Sequence, residues 1–341
     1  MALAKKRVTL KEVAERAGVS RSAVSRTFTP GASVSDETRR RVENAAEALG
    51  YSPSVLASGL STGRTKLIGL VSNNFRNPFY LEVFDAFTRT LQSRDLRPLL
   101  VNLSEQFDAD DALAMLRQYS VDGVVVASST LPPAFSSAFS DAGLPVVHAF
   151  ARHSEIPDVN TVGIDNVACG RMAADLLMAR GYGQVGFLGG PQTAASTADR
   201  QAGFLDALPA GVRAKCPVYH ANDYSFQAGY AAMADIIARG VSRRAWFCGD
   251  DAISIGAKAA LEASAKSVPQ DVGIVGVNGM DIAAWQGIEL TTFRQPLQAI
   301  VDAVVERLAQ LMEDPDDAPR AIRFEPQLID GATLRQRPKN G

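Results

Sequence analysis

The chain has 341 residues, 46% of them hydrophobic, with three cysteines and a formal net charge of −2. This is too long for one small domain and rich enough in apolar residues for packed cores, which excludes a disordered chain. No apolar run approaches the ~20 residues of a membrane helix, and Cys169, Cys216 and Cys248 form neither a disulfide framework nor a metal-ligand spacing. The charge is uneven: residues 1–66 carry twelve Lys and Arg against six Asp and Glu, and the remainder carries 23 against 31. A basic head on an acidic body suggests phosphate contacts confined to one end. The opening Met-Ala-Leu-Ala-Lys-Lys-Arg is not followed by an apolar signal segment, so a cytoplasmic protein is expected.

Residues 9–28 spell two short helices with their punctuation. Thr9 and Glu12 have capping-box spacing, each able to satisfy a free backbone N–H at the start of a first helix. Gly18 ends it, since glycine enters the left-handed turn without strain. Ser20 caps a second helix that starts at Arg21 and exposes Arg21, Ser22 and Arg26. Val13, Ala14, Ala17, Val19 and Val24 are small and apolar, as a close helix crossing requires. The pattern is that of a helix-turn-helix, whose second helix enters the DNA major groove; the plain alternative is a surface helical hairpin. After Thr29-Pro30-Gly31, Ser35 with Asp36 and Glu37 opens a third helix that Gly50 closes. Its Val42, Ala45, Ala46 and Leu49 should pack across the first two. Arg39, Arg40 and Arg41 cannot all face one way, so one or two are expected on phosphate and the rest in water.

From Leu67 the pattern changes. β-rich runs at 67–71, 98–102, 123–127 and 145–148 alternate with helical stretches near 79–94, 107–119 and 133–142. The alternation repeats with runs at 185–188, 217–220, 246–248 and 274–277 and helices near 166–180, 198–208, 226–239 and 252–265. Two successive α/β lobes with parallel sheets follow. Gly181-Tyr-Gly183-Gln-Val-Gly186 fits the dinucleotide pattern G-x-G-x-x-G, but a helix precedes it and a strand follows. That order is the reverse of what a pyrophosphate at a helix N-terminus needs.

The runs Val34–Val42, Ala48–Pro53 and Ala57–Thr65, with the capped pair before them, resemble the LacI family of ligand-controlled transcription factors. The resemblance spans nearly the whole chain and is most specific over residues 8–70. It implies an all-α helix-turn-helix DNA-binding head followed by an α/β two-lobed periplasmic-binding-protein-like domain. The expected divisions are a head at 1–53, a hinge helix and linker at 54–65, and an effector-binding and dimerisation domain at 66–341. Within the last, lobe 1 takes about 66–164 and 294–321, and lobe 2 about 165–293 and 322–341. The implied partners are a palindromic operator, a second copy of the chain in a homodimer (a tetramer remaining open) and a small-molecule effector, with no membrane and no cofactor. DNA contacts are implied at Thr9, Ser20, Arg21, Ser22, Ser25, Arg26, Ser35, Ala57 and Leu60. In the family a hinge leucine wedges into the central base step of the minor groove, and Leu60 is the match. Ser54 stands where relatives often have asparagine.

A ligand of an open α/β sheet lies outside the carboxyl ends of its strands, and two facing lobes share that cleft. The resemblance places effector contacts there at Phe75, Asn77, Phe79, Ser196, Arg200, Tyr224, Asp250 and Asn278. Arg200 opens an Arg-x-x-Gly-Phe run, and a permanently charged planar fork suits hydroxyls or carboxylates. Asp250 occupies a position often held by asparagine in relatives, and Asn278 one commonly held by aspartate. The change implies a differently decorated sugar, a sugar acid with Arg200 as counter-charge, or a non-sugar metabolite. A solute-binding protein of transport shares the two-lobed body but would carry a signal peptide and no basic head. An enzyme is not expected, with no catalytic or metal-ligating residue: His148, His153 and His220 join no triad or metal pattern. Asp250 and Asp251, adjacent on a helix start, do not face one another.

Overall fold

The computed structural model describes residues 8–29, 31–52, 63–104, 108–152 and 154–336. The chain divides into two compact units, Met1–Lys66 and Leu67–Gly341.

The first unit holds α1 (Leu10–Ala17), α2 (Arg21–Thr27) and α3 (Asp36–Leu49). The local chemistry is the one the residues dictate. Thr9 and Glu12 form both halves of the capping box, and Gly18 takes a left-handed φ of 63°. Ser20 and Ser35 accept from the backbone N–H groups of Ala23 and Thr38. Val13, Ala14, Ala17, Val24, Val42, Ala45 and Ala46 form the core of this unit. The arginine run departs from expectation. Arg41 Nη2 donates to the carbonyls of Ala17 at 2.7 Å and Gly18 at 3.2 Å. Arg39 Nη1 donates to the carbonyl of Thr27 at 3.0 Å. Two of the three arginines thus satisfy the last carbonyls of α1 and α2, which lack partners within their own helices. The expected hinge at 54–61, with Ala57 and Leu60, lies outside the described residues.

The second unit contains two parallel sheets, each of six strands among the described residues. The first is built from β1 (Leu67–Ser72), β2 (Arg97–Asn102), β3 (Gly123–Ala127), β4 (Val146–Ala149) and β5 (Thr161–Ile164). The second is built from β6 (Val185–Gly189), β7 (Val218–His220), β8 (Ala245–Cys248), β9 (Gly273–Asn278) and β10 (Thr291–Arg294). Two late strands, β11 (Ala321–Phe324) and β12 (Gln327–Ile329), complete them. The orders are β11-β5-β4-β3-β1-β2 and β12-β10-β9-β8-β6-β7. All pairings are parallel except β10 with β12. The central strands are buried along both faces, so they read as continuous apolar runs such as Gly123-Val-Val-Val-Ala127.

The chain crosses between the sheets after β5, after β10 and after β11. This moves the expected lobe boundary of about 321/322, which would fall one residue into β11. Ala321–Phe324 pairs in parallel with Thr161–Ile164 in the first sheet, so the second lobe resumes only after Phe324. The helix Leu297–Glu313 packs on β3, β4 and β5, back in the first lobe. At Gly181–Gly186 the helix Asn166–Ala179 comes before the glycines, and β6 begins at Val185 and takes in the last of them. No described helix is long and apolar enough to cross a membrane.

Candidate functional site

Most of the DNA contacts expected in the head stand on the exposed side of α2. Arg21, Ser22, Ser25 and Arg26 are all exposed there, and the helix contains no acid. Ser20 holds the helix start, accepting from Ala23 N at 3.2 Å while its hydroxyl meets that of Ser22 at 2.9 Å. Arg26 Nε reaches back to the Ser22 carbonyl at 3.4 Å, whereas Arg21 makes no side-chain hydrogen bond among the described residues. Thr9 and Ser35 cap the other two helices, so their hydroxyls are already engaged within the head.

In the body, the carboxyl ends of the two sheets bring twelve residues around one narrow cavity. Six of the expected effector residues meet there: Asn77, Phe79, Arg200, Tyr224, Asp250 and Asn278. Two do not. Phe75 turns away, 37% exposed, with its ring 4.8 Å from that of Phe84. Ser196 lies behind Tyr224, joined to its hydroxyl at 3.1 Å, and donates across the cleft to the Ser129 carbonyl at 3.4 Å. Tyr80, Ser129, Phe150, Ile164, Asn166 and Gln295 line the space as well and were not foreseen.

Close helix packing places the arginine. The helices Asn166–Ala179 and Ala195–Ala207 cross so tightly that a Cβ at Gly170 would overlap the Arg200 carbonyl, and one at Gly203 the Val167 carbonyl. The glycine of Arg-x-x-Gly-Phe is therefore required by backbone contact, and its Phe204 is fully buried in the core. That crossing sets Asn166 against Arg200: Nε donates to Asn166 Oδ1 at 2.8 Å, and Nη1 to the Gly249 carbonyl at 2.5 Å.

Asp250 is the other fixed point. It caps the helix Asp251–Ala263, Oδ1 accepting from Ala252 N at 2.7 Å and Ile253 N at 3.4 Å. Its Oδ2 accepts from Asn278 Nδ2 at 2.8 Å and, across the cleft, from Asn77 Nδ2 at 2.9 Å. Asn278 sits at φ 121°, a conformation that L-residues rarely adopt. Its amide oxygen and backbone carbonyl both accept from Gln295, which pins it there. The carboxylate and amide that the resemblance would exchange between positions 250 and 278 are thus one hydrogen-bonded pair. Two carboxylates at this distance would repel, so the exchange retains a single charge. Burial pushes the Asp250 pKa up, opposed by the Asn77 amide, the helix N–H groups and Arg200.

The cleft carries further bridges between the lobes. Arg152 pairs with Asp199 at 2.6 Å, and Glu82 accepts from Asp281 N at 2.9 Å. Burial raises the pKa of both acids. Asp251, beside Asp250, faces away into the core and accepts from Thr292 Oγ1 at 2.6 Å and Met280 N at 2.9 Å. Burial raises its pKa to about 8. His148 is a core residue between Ser136 and the Ser128 carbonyl, its pKa lowered by burial to about 4.

A helix-turn-helix head joined to a two-lobed, periplasmic-binding-protein-like body defines a DNA-binding regulator of transcription. Comparison with known proteins agrees. Residues 9–54 match the bacterial regulatory proteins of the lacI family, and residues 174–334 a periplasmic binding protein-like domain. The chain is 30% identical over 333 residues to the HTH-type transcriptional repressor PurR of Erwinia tasmaniensis, covering 97% of this chain and 98% of that one. The PurR of Serratia proteamaculans is 30% identical over 334 residues, with the same coverage. Among solved structures, the lac repressor dimer bound to operator and the anti-inducer ONPF superposes with a TM-score of 0.85 at 24% identity, covering 97% of this chain and 100% of that one. The complex of the transcriptional regulator CelR with cellobiose gives 0.70 at 27% identity, covering 96% and 100%. The chain belongs to the LacI family of DNA-binding transcriptional repressors, which are regulators and not enzymes.

Proposed function

We propose that this repressor binds a palindromic operator as a homodimer, in the cytoplasm where the chromosome lies, and that a small metabolite held between the lobes sets its affinity. The observation that carries the reading is the cleft itself. A buried arginine, a buried carboxylate and four aromatic rings converge at the strand ends, as a site for a small polar molecule requires. On the DNA side, Arg21 and Ser22 read base edges and Arg26 contacts base or phosphate. A long guanidinium suits guanine, so each half-site should hold a guanine opposite Arg21. Ala57 and Leu60 would enter the minor groove, Leu60 unstacking the central step. Two-fold symmetry of the protein implies a two-fold operator. A metabolite that binds the released state better is an inducer; one that binds the DNA-bound state better is a co-repressor.

In-vitro selection of binding sites with the full-length chain should return a palindrome with one guanine near the recognition helix in each half. Leu60→Ala should weaken specific binding far more than non-specific binding; equal losses would remove the wedge role. A selection that returns no symmetric site would sink the proposal.

A further inference from the structure

We infer that the effector carries a carboxylate, seated on the open donors of Arg200 and Asn166; this rests on the cleft being the effector site. The argument is an inventory of which polar atoms around the cleft are already spoken for. Asp250 is the single acid among the described lining residues and Arg200 the single cation. Both oxygens of Asp250 are occupied: Oδ1 by two helix N–H groups, Oδ2 by the amides of Asn77 and Asn278. The amide oxygens of Asn77 and Asn278 are taken too, by Phe79 N and Gln295 Nε2. A hydroxyl donating to Asp250 would have to displace one of those amides and leave it buried without a partner. These three residues are closed to a sugar that binds through its hydroxyl protons.

The donor side is open. Arg200 Nη2 and Asn166 Nδ2 hydrogen-bond to nothing among the described residues, although Arg200 is 4% and Asn166 8% exposed. The Nε–Oδ1 bond holds the guanidinium and the amide beside each other, so the open donors belong to adjoining groups. A buried N–H needs an acceptor, and a buried guanidinium needs a counter-charge. A carboxylate brings two acceptor oxygens and one negative charge together. Asp250 accepts from the amides of Asn77 and Asn278 and from helix N–H groups, and makes no hydrogen bond to Arg200. Asp199, the next acid along the helix, is paired with Arg152. Phe79, Phe150 and Ile164 supply apolar wall for the carbon skeleton, and Gln295 Oε1 is an open acceptor for one hydroxyl. The ligand is a small organic acid, and a hydroxyl on it can donate to Gln295 Oε1.

The test uses the full-length protein and matched pairs: D-gluconate with D-glucitol, D-glucuronate with D-glucose, and L-malate with malamide. Each is scored by shift of melting temperature and then by calorimetry. At least one acid should stabilise the protein while its neutral counterpart does not. Asn166→Asp keeps the oxygen that receives Arg200 Nε, so the fold is retained, but it removes the open donor and sets a negative charge against the ligand. It should weaken the acid by roughly tenfold or more, the size of one charged hydrogen bond. If no acid stabilises the protein beyond its counterpart, or if Asn166→Asp binds the acid unchanged, the carboxylate assignment is overturned. Phe79→Ala separates the two levels. A neutral molecule whose binding it abolishes leaves the cleft as the effector site and removes only the carboxylate. An acid whose binding survives both variants lies elsewhere, and the cleft reading fails with it.

Discussion

The recognition helix and the cleft both hold arginines with donors to spare, on opposite terms. Arg21 and Arg26 stand in water, where an unmatched N–H is hydrated at no cost. Arg200 and Asn166 are buried, where each unmatched N–H costs about 1–3 kcal/mol. On the proposed reading, the head would gain specificity by adding favourable contacts. The cleft would penalise an occupant that fails to supply acceptors, and so select by exclusion. The scaffolds differ in the same way. The helix starts of the head are capped by hydroxyls that water could partly replace, whereas Asp250 in the cleft is a buried carboxylate joined to both lobes.

The largest test of that difference is Asp250→Ala. It removes the cap of the helix Asp251–Ala263 and leaves the amides of Asn77 and Asn278 facing nothing. Chemical denaturation should show a loss of about 3–5 kcal/mol, as when one partner of a buried charged cluster is removed. A loss below about 1 kcal/mol would mean that the junction is not a fixed scaffold. Next in size, Arg21→Ala should lose about 1–3 kcal/mol of discrimination at one base pair, with little change in non-specific affinity. Fluorescence anisotropy on operator and scrambled duplexes reads both, and equal losses would assign Arg21 to phosphate. Ser20→Ala should cost the head about 1 kcal/mol, since an exposed cap is removed and no buried group is stranded.

A test of a different kind is the pH slope expected from Asp251. Its folded pKa of about 8 lies above the ordinary 3.8, so the folded chain holds this proton more tightly than the unfolded one. The resulting stability is fully present below pH about 4 and is lost as pH rises through about 8. Across that window the melting temperature of the wild type should fall relative to Asp251→Asn. Parallel curves would show that Asp251 is ionised in the fold.

The head was legible because its structure is local. Thr9 and Glu12, Gly18 and Ser20 act within a few residues of themselves, and the sequence states their spacing. The apolar strands were equally plain where both faces are buried. The four-residue strands Thr161–Ile164 and Thr291–Arg294 escape a sequence reading because threonine, glycine and arginine interrupt the apolar run that marks a strand of equal length such as Ala245–Cys248. In the cleft, residues marked by a motif, such as Arg200, could be found. Asn166 and Gln295 carry no local sign; they reach the site only because helices cross and the chain passes three times between lobes. Phe75 shows the converse, since its loop is at the cleft but its ring finds Phe84 first. The glycine at 203 was the one available hint that something packs closely beside Arg200.

The arginines at 39 and 41 bear on how this protein should respond to salt. Binding to DNA releases condensed counterions, and each neutralised phosphate steepens the dependence of log affinity on log salt by roughly 0.9. Arg39 and Arg41 are tethered to helix carbonyls, so they lend potential to the head without displacing ions from the duplex. A titration with potassium chloride should give a slope shallower by roughly 2 per head than the count of basic residues suggests. Arg41→Gln should melt the head at a lower temperature and leave that slope where it was.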